Sequence, residues 1–223
     1  MLRPYGDHAS RITHHASRKY MKLYNERNPA PNPRRVRIFL AEKGISIPIE
    51  NVPLRERAHK SPEFKKKNSL GQVPVLELDD GTHLSESVSI CRYLEELHPT
   101  PALFGNSALE RAQIDMWIRR VEFALMNPVA AVWVHTHPYT ASLGTQYKEY
   151  GESNKERVAN AMHWLDHELA GREFIATNSY SMADIIALTT VDFAKFVGMD
   201  MPADAKHLQA WHARVSSRPS ASV

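Results

Sequence analysis

The chain has 223 residues, of which 43% are hydrophobic and 24% charged. This composition is ordinary for a globular protein and excludes a fibrous or largely disordered one. Its formal charge of +3 is confined to one end, because residues 1–20 contain four of the 28 basic residues and one of the 25 acidic residues. The remaining chain is neutral, with 24 residues of each sign. We therefore expect neither a nucleic acid nor a membrane as a partner, since both attract clustered positive charge.

A single cysteine, Cys91, excludes an intrachain disulfide and a cysteine-rich zinc site. It favours a reducing compartment, which we expect to be the cytoplasm. The longest uncharged stretch, residues 123–147, is interrupted by proline and polar residues, and its apolar part is shorter than the roughly 20 residues that cross a bilayer. Residues 1–20 lack the apolar run of a secretory signal, and we expect them to form a flexible extension without a catalytic role.

Periodicity and punctuation predict a small α/β domain in residues 21–98. Short apolar runs indicate strands, apolar residues three or four positions apart indicate helices, and glycine or proline marks their ends. The predicted order is a strand at 21–24, a helix at 34–43 ended by Gly44, a strand at 47–52, a short helix beginning near Ser61 and Pro62, a hairpin of strands at 73–78 and 82–84, and a helix from Ser85 or Glu86 to about Leu97.

Residues 106–223 are expected to form a second domain without strands. Apolar residues recur with helical spacing between 114 and 125, and Pro128 should kink or divide this helix. Ser181 and Asp184 have the spacing of a capping box, which would start a helix at the next residue. Further helices are predicted at 154–169, 182–196 and 205–215. The fold class is therefore an α/β domain followed by an all-α domain.

Two motifs in the first domain suggest a site for a peptide-like ligand. Pro74 stands at the head of a strand, and a cis bond before it would turn the main chain of Val73 outward, where it can pair with an extended ligand. Glu86 and Ser87 lie at the start of a helix, whose free amides favour a carboxylate, while the Glu86 side chain can accept from an ammonium group. The alternative is that Pro74 only begins a strand and Glu86 only caps a helix.

In this order and spacing, the motifs resemble the glutathione transferase family. The resemblance extends from Met21 to about Pro219 and includes residues 34–44, 61–64, 71–76, 84–94 and 181–184. It implies a thioredoxin-like first domain, a helical second domain, a homodimer and glutathione as co-substrate, with a role in detoxification.

The resemblance also implies which residues bind each part of glutathione. Val73 would pair through its main chain with the cysteinyl part, next to a cis Pro74. Glu86 and Ser87 would hold the γ-glutamyl end.

The glycine carboxylate of glutathione would face His59 and Lys60, with an added side-chain contact from Gln72. Lys60 is a natural partner for an anion, although its flexible stem equally suits plain exposure to solvent. The roles of these three residues are therefore implied by the resemblance alone.

The usual catalytic side chain of the family is missing. Most classes place Tyr, Ser or Cys just after the first strand to favour the thiolate, but residues 25–32 contain neither a hydroxyl nor a thiol, and Tyr24 lies within the strand. Residues 30–35 resemble a bacterial and fungal subfamily that lacks this side chain.

In that subfamily, a histidine of the helical domain is thought to hold a water molecule against the sulfur. The best matching position is His135, with His137 as the rival, although this pair can equally mark a helix end or hold a metal. Asn32 or Asn28 can donate a hydrogen bond from the first domain, and so can the amides at the head of the helix at 34–43. We take His135 and Asn32 as the candidate catalytic residues and expect no bound metal.

The remaining features are expected to be structural. The cluster Arg34, Arg35 and Arg37 is interpreted as charges on a solvated helix face, and Cys91 as an inert core thiol. The second substrate is expected to be a hydrophobic electrophile bound between the domains, against residues 114–147. Six apolar side chains are available there: Met116, Trp117, Phe123, Met126, Trp133 and Tyr139.

The predicted function is conjugation of the glutathione thiolate to electrophilic small molecules. One alternative is a non-conjugating glutathione-dependent enzyme, that is a peroxidase, reductase or dehalogenase, although a reductase would normally use a cysteine in the loop after the first strand. The other alternative is a glutathione-binding scaffold without turnover, which the missing hydroxyl favours and the retained binding motifs oppose.

Overall fold

The computed structural model describes residues 21–27 and 30–223. The flexible extension predicted at 1–20 lies outside the described residues, and so does Asn28.

Four short strands form one mixed sheet in the order β2-β1-β3-β4. β1 runs parallel to β2 and antiparallel to β3, and β3 pairs antiparallel with β4. The strands β2 and β3 are shorter than predicted because they begin only after Pro48 and Pro74, which have no N–H group for a ladder. The bounds are β1 Lys22–Asn25, β2 Ile49–Asn51, β3 Val75–Glu77 and β4 His83–Ser85.

Three helices accompany the sheet: α1 Pro31–Lys43, α2 Pro62–Lys65 and α3 Ser87–Leu97, with a single 3-10 turn at Ala58–Lys60. α1 begins three residues earlier than predicted, because two prolines are tolerated in the first turn, where amides have no partner within the helix. Gly44 ends α1 with a φ of 64°, as its position predicts. Ser61 caps α2 by accepting a hydrogen bond from the Phe64 N–H.

The rest of the described chain is helical. Its elements are α4 Ala108–Val121, a π-helical segment Glu122–Met126, α5 Asn127–Thr136, α6 Lys148–Glu168, α7 Met182–Phe196 and α8 Lys206–Ser216. The backbone stays helical from Ala108 to Thr136, and the helix widens into the π-helical segment directly before Pro128 instead of being divided there. α6 begins six residues before its predicted start; residues 148–153 are mostly polar and carry no apolar period that would indicate a helix.

Side chains that alternate along the strands enter two different cores. Tyr24 and Val75 pack with Phe64 in a small cluster beneath α2. Leu23 and Leu76 face the opposite side and join a large cluster that continues without interruption through α1 and α3 to Val215 of α8. α1 therefore belongs to the interiors of both the strand-bearing and the helical parts.

Polar contacts also tie the helical part to α1. The carboxylate of Glu42 accepts two hydrogen bonds of 2.7 Å from the Arg218 guanidinium and a further one from the hydroxyl of Ser220. Arg34 donates to the Asp192 carboxylate at 2.5 Å and to the carbonyl of Ala221 at 2.9 Å. These contacts hold residues 218–221 against α1.

Within the described ranges 21–27 and 30–223, every helix is too short or too polar to cross a bilayer.

Candidate active site

The register of the sheet brings the two predicted binding motifs together. Val75 is paired with Tyr24 of β1 on one side and with Ser85 of β4 on the other. The two residues before Val75 therefore lie between the end of β1 and the residues that follow β4, which are Glu86 and Ser87. The sequence motifs thus converge at one end of the sheet.

Val73 presents its main chain at this point. The peptide bond between Val73 and Pro74 is cis, as predicted. Among the described residues, neither the N–H nor the C=O of Val73 has a hydrogen-bond partner. A half-buried main-chain donor and acceptor of this kind can pair with an extended peptide as a short added strand.

Glu86 has an unusual backbone conformation at the start of α3. Its φ of 67° lies in the left-handed region, which costs a residue with a Cβ on the order of 1–3 kcal/mol. Its side chain is exposed and does not cap the helix, so the first amides of α3 stay open to a ligand. Such outliers concentrate at binding sites, where the surrounding structure maintains them.

Arg35 contacts Ser87 from within the protein, and the prediction that Arg35 lies on a solvated helix face is wrong. The side chain of Arg35 is 3% exposed. Its Nη1 donates to the Ser87 hydroxyl at 3.5 Å and to the Glu122 carboxylate at 3.2 Å, and it also donates to Thr189 and Thr190. Burial lowers the pKa of Arg35, while Glu122 opposes that change.

The neighbouring arginines are also not simple solvated charges. Arg34 forms the ion pair with Asp192, and Arg37 is half-buried against the end of β1. The signal that could have identified Arg35 is its spacing, since Phe39 lies four positions later on the same helix face and is fully buried.

His59 and Lys60 lie beside the turn that precedes Val73. The ammonium of Lys60 donates to the carbonyls of Leu70 and Gly71 at 3.0 and 2.8 Å, so it is engaged with main chain. The Nδ1 atom of His59 is buried without a partner among the described residues. Burial, followed by the charges of Lys60 and Arg57, lowers the pKa of His59.

Gly71 and Gln72 complete this turn. Gly71 has a φ of 58°, and a Cβ there would lie 2.5 Å from the His59 carbonyl oxygen, so only glycine fits. The carbonyl of Gln72 accepts a hydrogen bond of 2.9 Å from the Asn68 side chain, while the side chain of Gln72 is exposed.

The head of α1 offers fewer amides than the sequence analysis expected. The helix begins at Pro31, and Pro31 and Pro33 have no N–H, so the N–H of Asn32 is the one left in the first three positions. The Oδ1 atom of Asn32 is buried and has no partner among the described residues. Tyr24 contributes no free hydroxyl nearby, because it donates to Glu77 at 2.6 Å.

The two candidate histidines face different neighbours. His135 lies in the last turn of α5, where its Nδ1 accepts from the Tyr147 N–H at 3.2 Å and its ring packs edge-on against Tyr147 and Tyr150. The ring of His137 stacks on Phe196 at 5.7 Å, and its Nδ1 accepts from the N–H of Tyr139. In the described residues, no three side chains that could ligate a metal come together.

A cavity of about 330 Å³ lies at the head of α1. Arg27, Arg34 and Arg37 line it on one wall, Phe193 and Phe196 of α7 line it on another, and residues 221–223 also line it. His137 stacks on Phe196, which lines this cavity, whereas the contacts of His135 are with residues around the start of α6.

The six apolar residues predicted to line the second substrate site do not lie together. Met116 and Phe123 line a separate depression with Trp164 on the outer face of α4 and α6, and Trp117 stacks on Trp164. Trp133 and Tyr139 instead stack beside Phe193 and Phe196, and Met126 contacts Thr190.

Comparisons with known proteins show the family of both parts of the chain. Family models match residues 30–97 as the glutathione S-transferase N-terminal domain and residues 124–219 as the C-terminal domain. Glutathione S-transferase 2 of Saccharomyces cerevisiae is 40% identical over 197 residues, which cover 85% of this chain and 83% of the yeast protein.

Two solved structures share the fold over nearly the whole described chain. Gtt2 of Saccharomyces cerevisiae has a TM-score of 0.85 at 38% identity, covering 90% of this chain and 98% of that one. A class Gtt2 glutathione S-transferase of Vibrio parahaemolyticus has a TM-score of 0.79 at 35% identity, covering 89% and 94%. The predicted combination of a thioredoxin-like domain and a helical domain is thereby confirmed, and the chain belongs to the glutathione S-transferase family.

Proposed function

We propose that the chain transfers glutathione to an electrophilic carbon of a small molecule. With an aryl halide, the thiolate sulfur forms a bond to the ring carbon, the carbon–halogen bond breaks, and the halide leaves with the bonding electrons. The thiol proton passes to water before the attack. The observation that carries this proposal is the unpaired main chain of Val73 beside Glu86 and Ser87.

The γ-glutamyl and cysteinyl parts of glutathione are assigned by the same geometry. Val73 pairs with the cysteinyl main chain next to Pro74. The first amides of α3 and the hydroxyl of Ser87 hold the α-carboxylate, and the exposed carboxylate of Glu86 accepts from the ammonium group. Arg35 supports this arrangement through its contact with Ser87.

The glycine carboxylate is assigned to His59, Lys60 and Gln72. The ammonium of Lys60 has three N–H groups and uses two on carbonyls, which leaves one for a ligand. The exposed side chain of Gln72 lies one residue before Val73 and can supply an amide donor.

Stabilisation of the thiolate is assigned to donors near the head of α1. Asn32 contributes its N–H and its side-chain amide. Its N–H is the one available in the first three positions of α1, because Pro31 and Pro33 have none. For the predicted histidine, the contacts favour His137 over His135, since His137 packs against the wall of the cavity. His135 stays a prediction, with its Nε2 as the atom that could hold a water molecule.

A matched pair of variants separates the two histidines. His137→Ala is expected to lower kcat and move the pH profile of kcat/KM to higher pH, because the thiolate loses a donor, while the affinity for glutathione stays nearly unchanged. His135→Ala serves as the control. A larger loss of kcat in His135→Ala than in His137→Ala would reverse the assignment. If both variants kept the wild-type rate, Asn32 would be the main donor.

One observation favours the alternative of a glutathione-binding protein without turnover: the two prolines remove amides from the position where a thiolate would lie. The reductase alternative has less support, because Cys91 is fully buried and burial raises the pKa of its thiol far above the usual value. We also propose a cytoplasmic location and a role in detoxification; the free Cys91 is compatible with a reducing compartment.

We also propose that the protein is a homodimer. Met116 and Phe123 are exposed beside Trp164 on the outer face of α4 and α6, and Arg119 and Arg120 lie at the edge of this apolar patch. Phe123→Asp is expected to yield a monomer in light scattering, whereas Leu143→Asp, which changes an exposed apolar residue elsewhere, should not. A wild-type protein that scatters as a monomer would contradict the proposal.

The function is tested by calorimetric titration with glutathione, followed by conjugation assays with an activated aryl halide and a panel of other electrophiles. Binding together with turnover is expected. Absence of binding would refute the proposed function, and binding without turnover on the whole panel would favour the scaffold. Peroxidase and dehalogenase assays on the same sample test the remaining alternatives.

A further inference from the structure

The cavity at the head of α1 is lined by cationic side chains, which a purely apolar substrate would leave without a partner. Three guanidinium groups, those of Arg27, Arg34 and Arg37, line one wall. Among the lining residues, Asp192 has the one acidic side chain, and its carboxylate is already engaged by Arg34 at 2.5 Å and by His212 at 2.7 Å. Arg27 and Arg37 therefore supply positive charge that Asp192 does not neutralise.

Arg37 is the more informative of these two cations. Its Nη1 donates to the side-chain oxygen of Asn25 at 2.6 Å and to the main-chain carbonyl of Glu26 at 2.9 Å, and both acceptors are uncharged. In the described part of the chain, Arg37 forms no ion pair. Burial lowers the pKa of Arg37 to about 10, the charges of Arg34 and Arg27 add to this, and the Glu26 carboxylate partly offsets it.

A half-buried cation beside two others is stabilised by an anion that enters the same space. The guanidinium of Arg27 is exposed on the same wall, and among the described residues its side chain has no hydrogen-bond partner. Arg27 and Arg37 thus form a pair of donors that can hold a carboxylate or sulfonate between them.

The other wall is aromatic. The rings of Phe193 and Phe196 are stacked, with planes 13° apart and centroids 6.0 Å apart, and Phe196 is 47% exposed. Trp133 contacts both rings, and His137 stacks on Phe196. A planar aromatic ring can lie against this surface.

The cavity lies at the same end of the sheet as Val73. Arg27 follows the end of β1, and the register of β1 with β3 puts the residues after β1 beside those that precede Val75, including Val73. A ligand in the cavity is therefore close to the position proposed for the cysteinyl part of glutathione.

We propose that this cavity receives the second substrate and selects aromatic electrophiles that carry a carboxylate or sulfonate group. The ring lies against Phe193 and Phe196, and the anionic group lies between Arg27 and Arg37. This inference rests on the proposed glutathione transfer. With 4-chloro-3,5-dinitrobenzoate, the glutathione sulfur bonds to the ring carbon that carries chlorine, and chloride leaves with the bonding electrons.

The test compares this benzoate with the uncharged 1-chloro-2,4-dinitrobenzene. For each, kcat/KM is divided by the rate constant of the uncatalysed reaction, and the ratio of the two quotients measures selectivity for the anion. Arg27→Gln and Arg37→Gln are each expected to lower this ratio about 10-fold, as the loss of a charge-assisted hydrogen bond implies. Arg157→Gln, on the exposed face of α6, should leave the ratio unchanged.

The selectivity should also weaken as ionic strength rises, because exposed charges are screened. An unchanged ratio in both cavity variants would overturn the proposal. Arg27 is exposed, and its side chain forms no hydrogen bond or ion pair with described residues, so its variant is expected to fold even if that of Arg37 does not.

A binding measurement separates failure of this inference from failure of the proposed function. The unreactive 3,5-dinitrobenzoate is titrated by calorimetry into the protein saturated with S-methylglutathione. Wild type should bind it about 10-fold more tightly than Arg27→Gln does. Equal affinity refutes the anion site even if conjugation occurs, whereas turnover of neither halide with normal glutathione binding refutes the transferase function.

Discussion

The buried ion pair between Arg35 and Glu122 should respond unequally to loss of its two members. The side chain of Arg35 is 3% exposed and that of Glu122 is 23% exposed, with 3.2 Å between Nη1 and Oε1. Glu122→Gln leaves a buried cation whose remaining partners, Ser87, Thr189 and Thr190, are all uncharged. Removing one member of a buried pair costs about 3–5 kcal/mol, and the partial exposure of Glu122 favours the lower value, about 3 kcal/mol.

Arg35→Met removes the buried charge itself and keeps an unbranched side chain of similar length. The Glu122 carboxylate then remains in partial contact with solvent and lies 3.6 Å from Arg119. The hydroxyls of Thr189 and Thr190 still donate to main-chain carbonyls of their own helix. Because no buried charge is left without a partner, we expect a loss of about 1 kcal/mol.

The assay is equilibrium unfolding in urea, monitored by circular dichroism and tryptophan fluorescence at one fixed protein concentration. Glu122→Gln should be less stable than Arg35→Met by about 2 kcal/mol. The double variant should recover to the stability of Arg35→Met, since it also lacks the buried cation. If Glu122→Gln is as stable as wild type, or if the double variant adds the two single losses, the guanidinium is not an uncompensated buried charge and the reasoning is refuted.

Three further predictions concern stability. Asp184→Ala should cost about 3–5 kcal/mol in urea unfolding, because the fully buried carboxylate accepts hydrogen bonds from Ser181, Ile175 and Trp211; a loss below 1 kcal/mol would contradict this. Gly71→Ala should lower Tm more than Gly81→Ala does, because both glycines have positive φ but only a Cβ at Gly71 meets another atom within 4 Å; equal losses would remove the argument from close approach. Burial opposes ionisation of Glu42, yet hydrogen bonds from Arg218 and Ser220 lower its pKa, so its stabilising effect is complete above the unfolded pKa of about 4.3 and is lost as pH falls through the lower folded value. The stability difference between wild type and Glu42→Gln should therefore shrink below about pH 4 in urea titrations, and a difference independent of pH would speak against the assigned pair.

Local signals predicted most of the fold. The helix at 182–196 has the predicted bounds to the residue, because a capping box at its start and a continuous apolar pattern are both visible in the sequence. The start of α6 was missed, since its first two turns are polar and carry no periodicity. The cis bond before Pro74, which the resemblance to the glutathione transferase family implies, is confirmed.

Features that depend on distant partners were not predictable in the same way. Arg35 is buried by hydroxyls and a carboxylate that lie between 52 and 155 positions later in the chain. His135 and His137 are two residues apart, yet the helix ends between them, so their rings take different directions. No local sequence pattern predicts the direction of a side chain at the end of a helix.

The uninterrupted core determines how the two halves of the molecule unfold. Leu23 and Phe39 from the strand-bearing half, and Ile118 and Trp211 from the helical half, belong to one apolar cluster. A fragment limited to residues 21–98 would expose the inner face of α1 to water and should not hold its shape. We therefore expect the two halves that family models describe separately to unfold as one cooperative unit, so that a substitution that weakens either half lowers a single shared melting temperature.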